Sequence, residues 1–147
     1  MKFFSRKKEK KEEAPKEIAK YNDKIEAFKI VDPNGMELYR WIIELGKKLK
    51  DDPLSEHLRT EENRVSRCQF GLFVDRVDGI FKAFSDGYIS SGYAAILLDV
   101  FNSLSDEEQT QVKIEDFREF KIESLLTMTR SNGFYQMIEM MIKKAGG

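Results

Sequence analysis

Apolar residues along this 147-residue chain recur at helical spacing nearly throughout and switch to a period of two only once, between residues 70 and 84. There Phe70, Leu72 and Val74 alternate with Gly71, Phe73 and Asp75, and Asp78-Gly79 supplies the dipeptide favoured in a tight hairpin turn before Ile80 to Phe84 return. A lone hairpin is marginal in water. It needs a third strand, most economically Asn63 to Ser66, or helices packed against it. Strands gathered in one place, with helices before and after rather than alternating with them, predict an α+β fold: a small antiparallel sheet packed against helices. The same order excludes a doubly wound nucleotide-binding fold.

The helical stretches are legible one by one. Ile18, Tyr21, Ile25 and Phe28 form a single apolar stripe, which predicts an amphipathic helix over 16–29. Asp32 and Pro33 read as the N-cap and first residue of a second helix. Its face is Leu38, Ile42, Leu45 and Leu49, widened by Tyr39, Trp41 and Ile43, and it ends near Lys50. Residues 53–64 read as a polar loop with one helical turn. Beyond the hairpin, Ile89, Tyr93, Ile96, Leu97, Val100 and Leu104 predict a mostly buried helix capped by Ser85 or Asp86. Two short helices are expected around SDEEQ and EDF. Ser131 reads as the N-cap of a last helix that lines up Phe134, Met137, Ile138, Met141 and Ile142.

A 41% hydrophobic content over this length supports one domain with a real core. The 25 basic and 26 acidic residues nearly balance, but residues 1–13 hold Lys2, Arg6, Lys7, Lys8, Lys10 and Lys11 against Glu9, Glu12 and Glu13, leaving 19 basic against 23 acidic residues elsewhere. A body of that sign lacks the basic footprint of a nucleic-acid-binding domain. Residues 1–15 are read as a charged, flexible tail and 16–147 as one domain. No apolar run is long enough to cross a bilayer and the N-terminus lacks a secretory pattern, so a cytoplasmic protein is expected, with no membrane partner.

The single cysteine, Cys68, has no second cysteine to pair with, which rules out an internal disulfide and a CxxC redox pair. One cysteine and one histidine cannot supply the four ligands of a structural zinc site. His57 is read as a solvent-facing loop residue rather than a base for Cys68. Walker, GxGxxG and GxSxG motifs are absent, and Asp75, Asp78 and Asp86 do not match an EF-hand. No cofactor is therefore expected on this chain. Cys68 is left as an inert thiol or as one that reacts with something brought from outside.

Four stretches in order, WIIELGKKL at 41–49, TEENRVSRCQ at 60–69, SDGYISSGYAAILL at 85–98 and RSNG at 130–133, resemble the SufE family of sulfur acceptors for cysteine desulfurases, over about residues 16 to 144. The resemblance implies a SufE/NifU-like (IscU-like) fold. It also implies that Cys68 takes persulfide sulfur from a pyridoxal-phosphate-dependent cysteine desulfurase and passes it to an iron-sulfur scaffold protein, the cofactor belonging to the desulfurase. Cys68 would be the reacting residue, with Arg67, Gln69, Asp86 and Arg130 binding the partner or supporting the loop. Arg67 and nearby Arg64 would modestly favour the thiolate. Asp86 stands at the family's acidic turn, or else only caps the helix after it. The chain reads RCQFGLF where the family commonly reads GCQSQVW, so it resembles a divergent member. Phe70, Leu72 and Phe73 are expected to shelter the thiol. Two other readings stay open: a SufE-like binding module that regulates a desulfurase or scaffold without transferring sulfur, and a redox sensor at Cys68. A homodimer is left open.

Overall fold

Two antiparallel strands, β1 (Leu72–Val77) and β2 (Ile80–Ser85), pair in register from Leu72 with Ser85 to Val77 with Ile80. They form the sheet of a computed structural model that describes residues 14–146. Asp78 and Gly79 join them with φ of 52° and 82°, both left-handed, which gives the turn the twist that strands share. Period two then puts Leu72, Val74, Phe81 and Ala83 on the buried face. The third strand expected over Asn63 to Ser66 shrinks to one bridge, Arg64 with Phe73, beside which the Val65 N–H donates to the Leu72 carbonyl at 2.8 Å. Glu61–Asn63 is instead coiled into a 3-10 turn, and after Val65 the chain bends away into the cysteine loop.

Helices make up the rest. α1 (Lys16–Val31) and α2 (Met36–Lys47) precede the sheet, and α3 (Tyr88–Asn102), the short α4 (Asp106–Gln109) and α5 (Met128–Lys144) follow it. Further 3-10 turns lie at Lys48–Lys50, Glu56–Leu58, Ile114–Phe117 and Lys121–Leu125. The α+β order read from the sequence is the observed one. The charged stretch 1–13 lies outside the described residues.

Three helix starts differ from expectation. α2 begins at Met36 rather than Pro33, because Asp32 to Gly35 closes a turn, Gly35 N–H donating to the Asp32 carbonyl at 3.0 Å. The Asp32 carboxylate still accepts the Glu37 N–H of the first turn at 3.0 Å. α3 starts at Tyr88 with neither Ser85 nor Asp86 as its cap: the Ser85 hydroxyl bonds Ser90 Oγ at 2.7 Å, and Asp86 faces the cysteine loop. α5 starts one turn earlier than Ser131, capped by Thr127, whose hydroxyl accepts the Arg130 N–H at 3.3 Å. The RSNG stretch is therefore helical.

α3 is the central element, packed on α2, on β2 and on α5. A side chain at Gly92 would overlap the Ile42 carbonyl, so glycine lets the α3 backbone lie directly on α2. At its far end the Asn102 amide pairs with β2 in both directions, accepting from Phe81 N–H at 2.8 Å and donating to Phe81 carbonyl at 3.0 Å. A relay of ring contacts runs through the core from Phe81 to Phe101, Phe117, Phe120, Phe134 and Tyr93. It leads from the hairpin to the floor of the cysteine loop. Among the described residues no helix is long and apolar enough to cross a membrane.

Candidate active site

Cys68 sits in the loop that the Val65 to Leu72 hydrogen bond closes, and its own N–H donates back to the Val65 carbonyl at 3.1 Å. Two further clamps fix the loop from either side. On one, the Gln136 amide of α5 accepts the Arg67 N–H at 2.7 Å and donates to Ser66 Oγ at 2.9 Å. On the other, Asp86 accepts the Gly71 N–H at 2.8 Å through its carboxylate and donates its own N–H to the Gly71 carbonyl at 3.1 Å. A Cβ at position 71 would stand 2.9 Å from the Asp86 carboxylate, so glycine there is what admits the clamp. Both clamps lie at the surface.

The thiol itself faces inward, and Cys68 is 8% exposed. Beneath it is Gly133 of α5, where an added Cβ would lie 3.4 Å from both Cα and Cβ of Cys68 and 2.9 Å from the Tyr93 hydroxyl. Gly133 thus brings helix, loop and tyrosine to one point. Tyr93 is fully buried, its ring edge-on to Phe134 with centroids 5.5 Å apart. Its hydroxyl has no hydrogen-bond partner among the described residues. Burial pushes the phenol well above its ordinary range, the charge and acceptor character of the adjacent Cys68 sulfur add to the rise, and Arg130 opposes it. Thiol and hydroxyl are neighbours across Gly133.

The residues singled out by sequence divide accordingly. Asp86 braces the loop rather than capping α3. Arg130, on the first turn of α5, contributes positive charge at the Tyr93–Cys68 contact. Gln69 and the Arg67 guanidinium are exposed and make no side-chain hydrogen bond or ion pair among the described residues, Arg67 joining the site through its backbone. Arg64 is engaged with Glu61 at 3.4 Å. Phe70, expected to shelter the thiol, is 43% exposed and lays its ring on Gly87. His57 is exposed on the Glu56–Leu58 turn. Among the described residues no group of three or more His, Cys, Asp or Glu side chains is placed to hold a metal ion.

Tyr93, Gly133 and Gln136 were not predicted as functional residues. Tyr93 reads in the sequence as one more member of an apolar stripe. The available signal was its hydroxyl, which a wholly buried stripe must place somewhere. Gln136 offered a weaker one, since it lies three residues after Gly133 and so shares that side of the helix.

The chain matches the family described as SufE, an Fe-S metabolism associated domain, over residues 22–145. It is 33% identical over 118 residues to an uncharacterized SufE-like protein of Rhizobium meliloti, covering 74% of this chain and 83% of the relative. A second uncharacterized SufE-like protein, from Synechocystis, is 29% identical over 111 residues, covering 73% of this chain and 69% of the relative. The fold is shared with the solution structure of a hypothetical protein from Thermus thermophilus, at a TM-score of 0.59 and 19% identity over 90% of this chain and 95% of the other.

Proposed function

The chain belongs to the SufE family of Fe-S metabolism associated domains, and on that premise we propose that Cys68 is a sulfur carrier between a cysteine desulfurase and an iron-sulfur scaffold protein. The observation that supports this reading is a solitary thiol turned inward under a loop whose clamps are at the surface. A desulfurase that competes for the Asp86 and Gln136 bonds releases the loop and swings Cys68 outward. The Cys68 thiolate then attacks the terminal sulfur of the donor's Cys–S–SH. A new S–S bond forms on Cys68 as the donor's breaks, and the donor leaves as a thiolate. The sulfur is transferred without a net oxidant, and the pyridoxal phosphate stays with the desulfurase. With no second cysteine in the chain, the loaded persulfide cannot collapse to an internal disulfide.

Burial also weighs against the redox-sensor reading, since sensor thiols are solvent-accessible. The test is mass spectrometry after incubation with the cysteine desulfurase of the same organism and free cysteine. One added sulfur on Cys68, lost in Cys68→Ser, together with faster desulfurase turnover, is expected. Binding that survives Cys68→Ser, with no added sulfur and no stimulation by the unaltered chain, would replace the carrier with a non-transferring binding module.

A further inference from the structure

The Tyr93 hydroxyl is a fully buried polar group with no hydrogen-bond partner among the described residues, and it adjoins the one cysteine of the chain. Leaving such a group unpaired is costly, and native interiors seldom do so without a functional reason. A thiol sulfur is a weak acceptor, so the unloaded site offers the hydroxyl little. A persulfide offers more. It extends the side chain by one S–S bond, about 2 Å, and ends in a sulfur that carries the negative charge once deprotonated. Charged acceptors form hydrogen bonds roughly twice as strong as neutral ones.

We infer that the Tyr93 hydroxyl is the donor that receives the terminal sulfur of a Cys68 persulfide, holding the loaded sulfur inside the fold. The inference rests on the carrier reading of Cys68 and adds a binding site for its loaded form. Three features of the site support it. The Cys68 Cα and Cβ are seated on Gly133, directly beside the hydroxyl, so the extra sulfur has only a short path to its donor. Arg130 brings positive charge to the same contact, which suits an anion. And because burial disfavours the phenolate, Tyr93 stays protonated and able to donate throughout the neutral range. The clamps of Asp86 and Gln136 keep the loop closed over the sulfur until a partner opens it.

The experiment loads the full chain with inorganic tetrasulfide, so that no desulfurase is needed. The Cys68 thiolate attacks one end of the S4 dianion, a bond to sulfur forms as an S–S bond of the polysulfide breaks, and Cys68–S–S⁻ and the S3 dianion result. The loaded protein is then challenged with reduced glutathione, and the added sulfur on Cys68 is followed by mass spectrometry. Tyr93→Phe keeps the ring and removes only the hydroxyl. It is expected to shorten the persulfide lifetime about tenfold or more, the ratio that a hydrogen bond to a charged group corresponds to. The unaltered chain provides a second measurement: loading should raise its Tm, and should not raise that of Tyr93→Phe. Equal lifetimes in the two proteins, or no Tm rise on loading the unaltered chain, would overturn the inference. If the closed loop keeps tetrasulfide from Cys68, the desulfurase loads both proteins for the same lifetime comparison; if neither reagent puts sulfur on Cys68, the inference falls together with the carrier reading. If chemical loading and the Tyr93 effect hold while the desulfurase transfers nothing, only the carrier reading falls.

Discussion

A single methyl group probes the packing under Cys68. In an ordinary exposed helix position Gly→Ala stabilises by about 1 kcal/mol. At Gly133 the new methyl would stand 2.9 Å from the Tyr93 hydroxyl and 3.4 Å from two atoms of Cys68. The tyrosine ring is held edge-on by Phe134, so the loop is the side that yields. Gly133→Ala is expected to forfeit the helical gain and destabilise by about 1–3 kcal/mol, the usual range for overpacking. Alkylation of Cys68 by iodoacetamide should accelerate as the loop lifts. A higher denaturation midpoint with unchanged alkylation would show that the three groups do not meet there. Cys68 stands out in the sequence as the lone thiol, whereas Asp86 and Arg130 were singled out only by the family resemblance. Tyr93 was not, because a tyrosine at helical spacing between Ile89 and Ile96 is indistinguishable from core until its hydroxyl is seen to lack a partner.

At the scale of an element, the cysteine loop is a closed ring of backbone held by one side chain from the β2–α3 turn and one from α5, far apart in sequence. Asp86→Ala removes the acceptor of the Gly71 N–H and should expose that amide to faster hydrogen exchange, together with faster alkylation of Cys68. Overall stability should fall by only about 1 kcal/mol, because the bond is at the surface and water replaces it. Asp86→Asn keeps an acceptor oxygen and should retain most of the protection. If Asp86→Ala left exchange at Gly71 unchanged, the clamp would not be what closes the loop. The hairpin was readable in advance because period two, β-branched and aromatic residues, and Asp78-Gly79 all agree. Helix starts were not. Thr127 and Ser131 both carry a capping hydroxyl, and local preference does not choose between them; in the fold the Ser131 N–H already donates to the Thr127 carbonyl, so Ser131 lies inside the helix and the cap is Thr127. The third strand failed for a similar reason, since the backbone at Val65 is needed to close the loop as much as to extend the sheet.

For the whole molecule, the docking of α1 makes stability sensitive to alkaline pH. The Tyr21 hydroxyl of α1 donates to the Asp99 carboxylate of α3 at 2.6 Å, while Asn22 and Glu26 bond the Glu119–Lys121 stretch beside it. Burial first, and then the bond and charge of Asp99, push the Tyr21 phenol well above its ordinary value of 10.0, and Tyr93 is raised in the same direction. Both groups therefore keep their protons in the folded chain at pH values where the unfolded chain has begun to lose them. With more protons bound in the native state, stability is fully present below pH 10 and declines as pH rises above it. The limiting slope is about 1.4 kcal/mol per pH unit for each tyrosine. Glu26 behaves oppositely: its exposed pair with Lys121 holds the carboxyl below its ordinary range, and that contribution is present above about pH 4.5 and fades on acidification. Urea denaturation of the unaltered chain and of Tyr21→Phe between pH 8 and pH 11 isolates the tyrosine, because the lysines titrate alike in both. At pH 8 the variant should be the less stable by about 1 kcal/mol, for the lost hydrogen bond. Approaching pH 11 the gap should close, since only the unaltered chain still has this phenol to ionise on unfolding. A gap that stays constant across the range would mean that Tyr21 titrates alike in the folded and unfolded chain, and that its bond to Asp99 does not hold the proton in place.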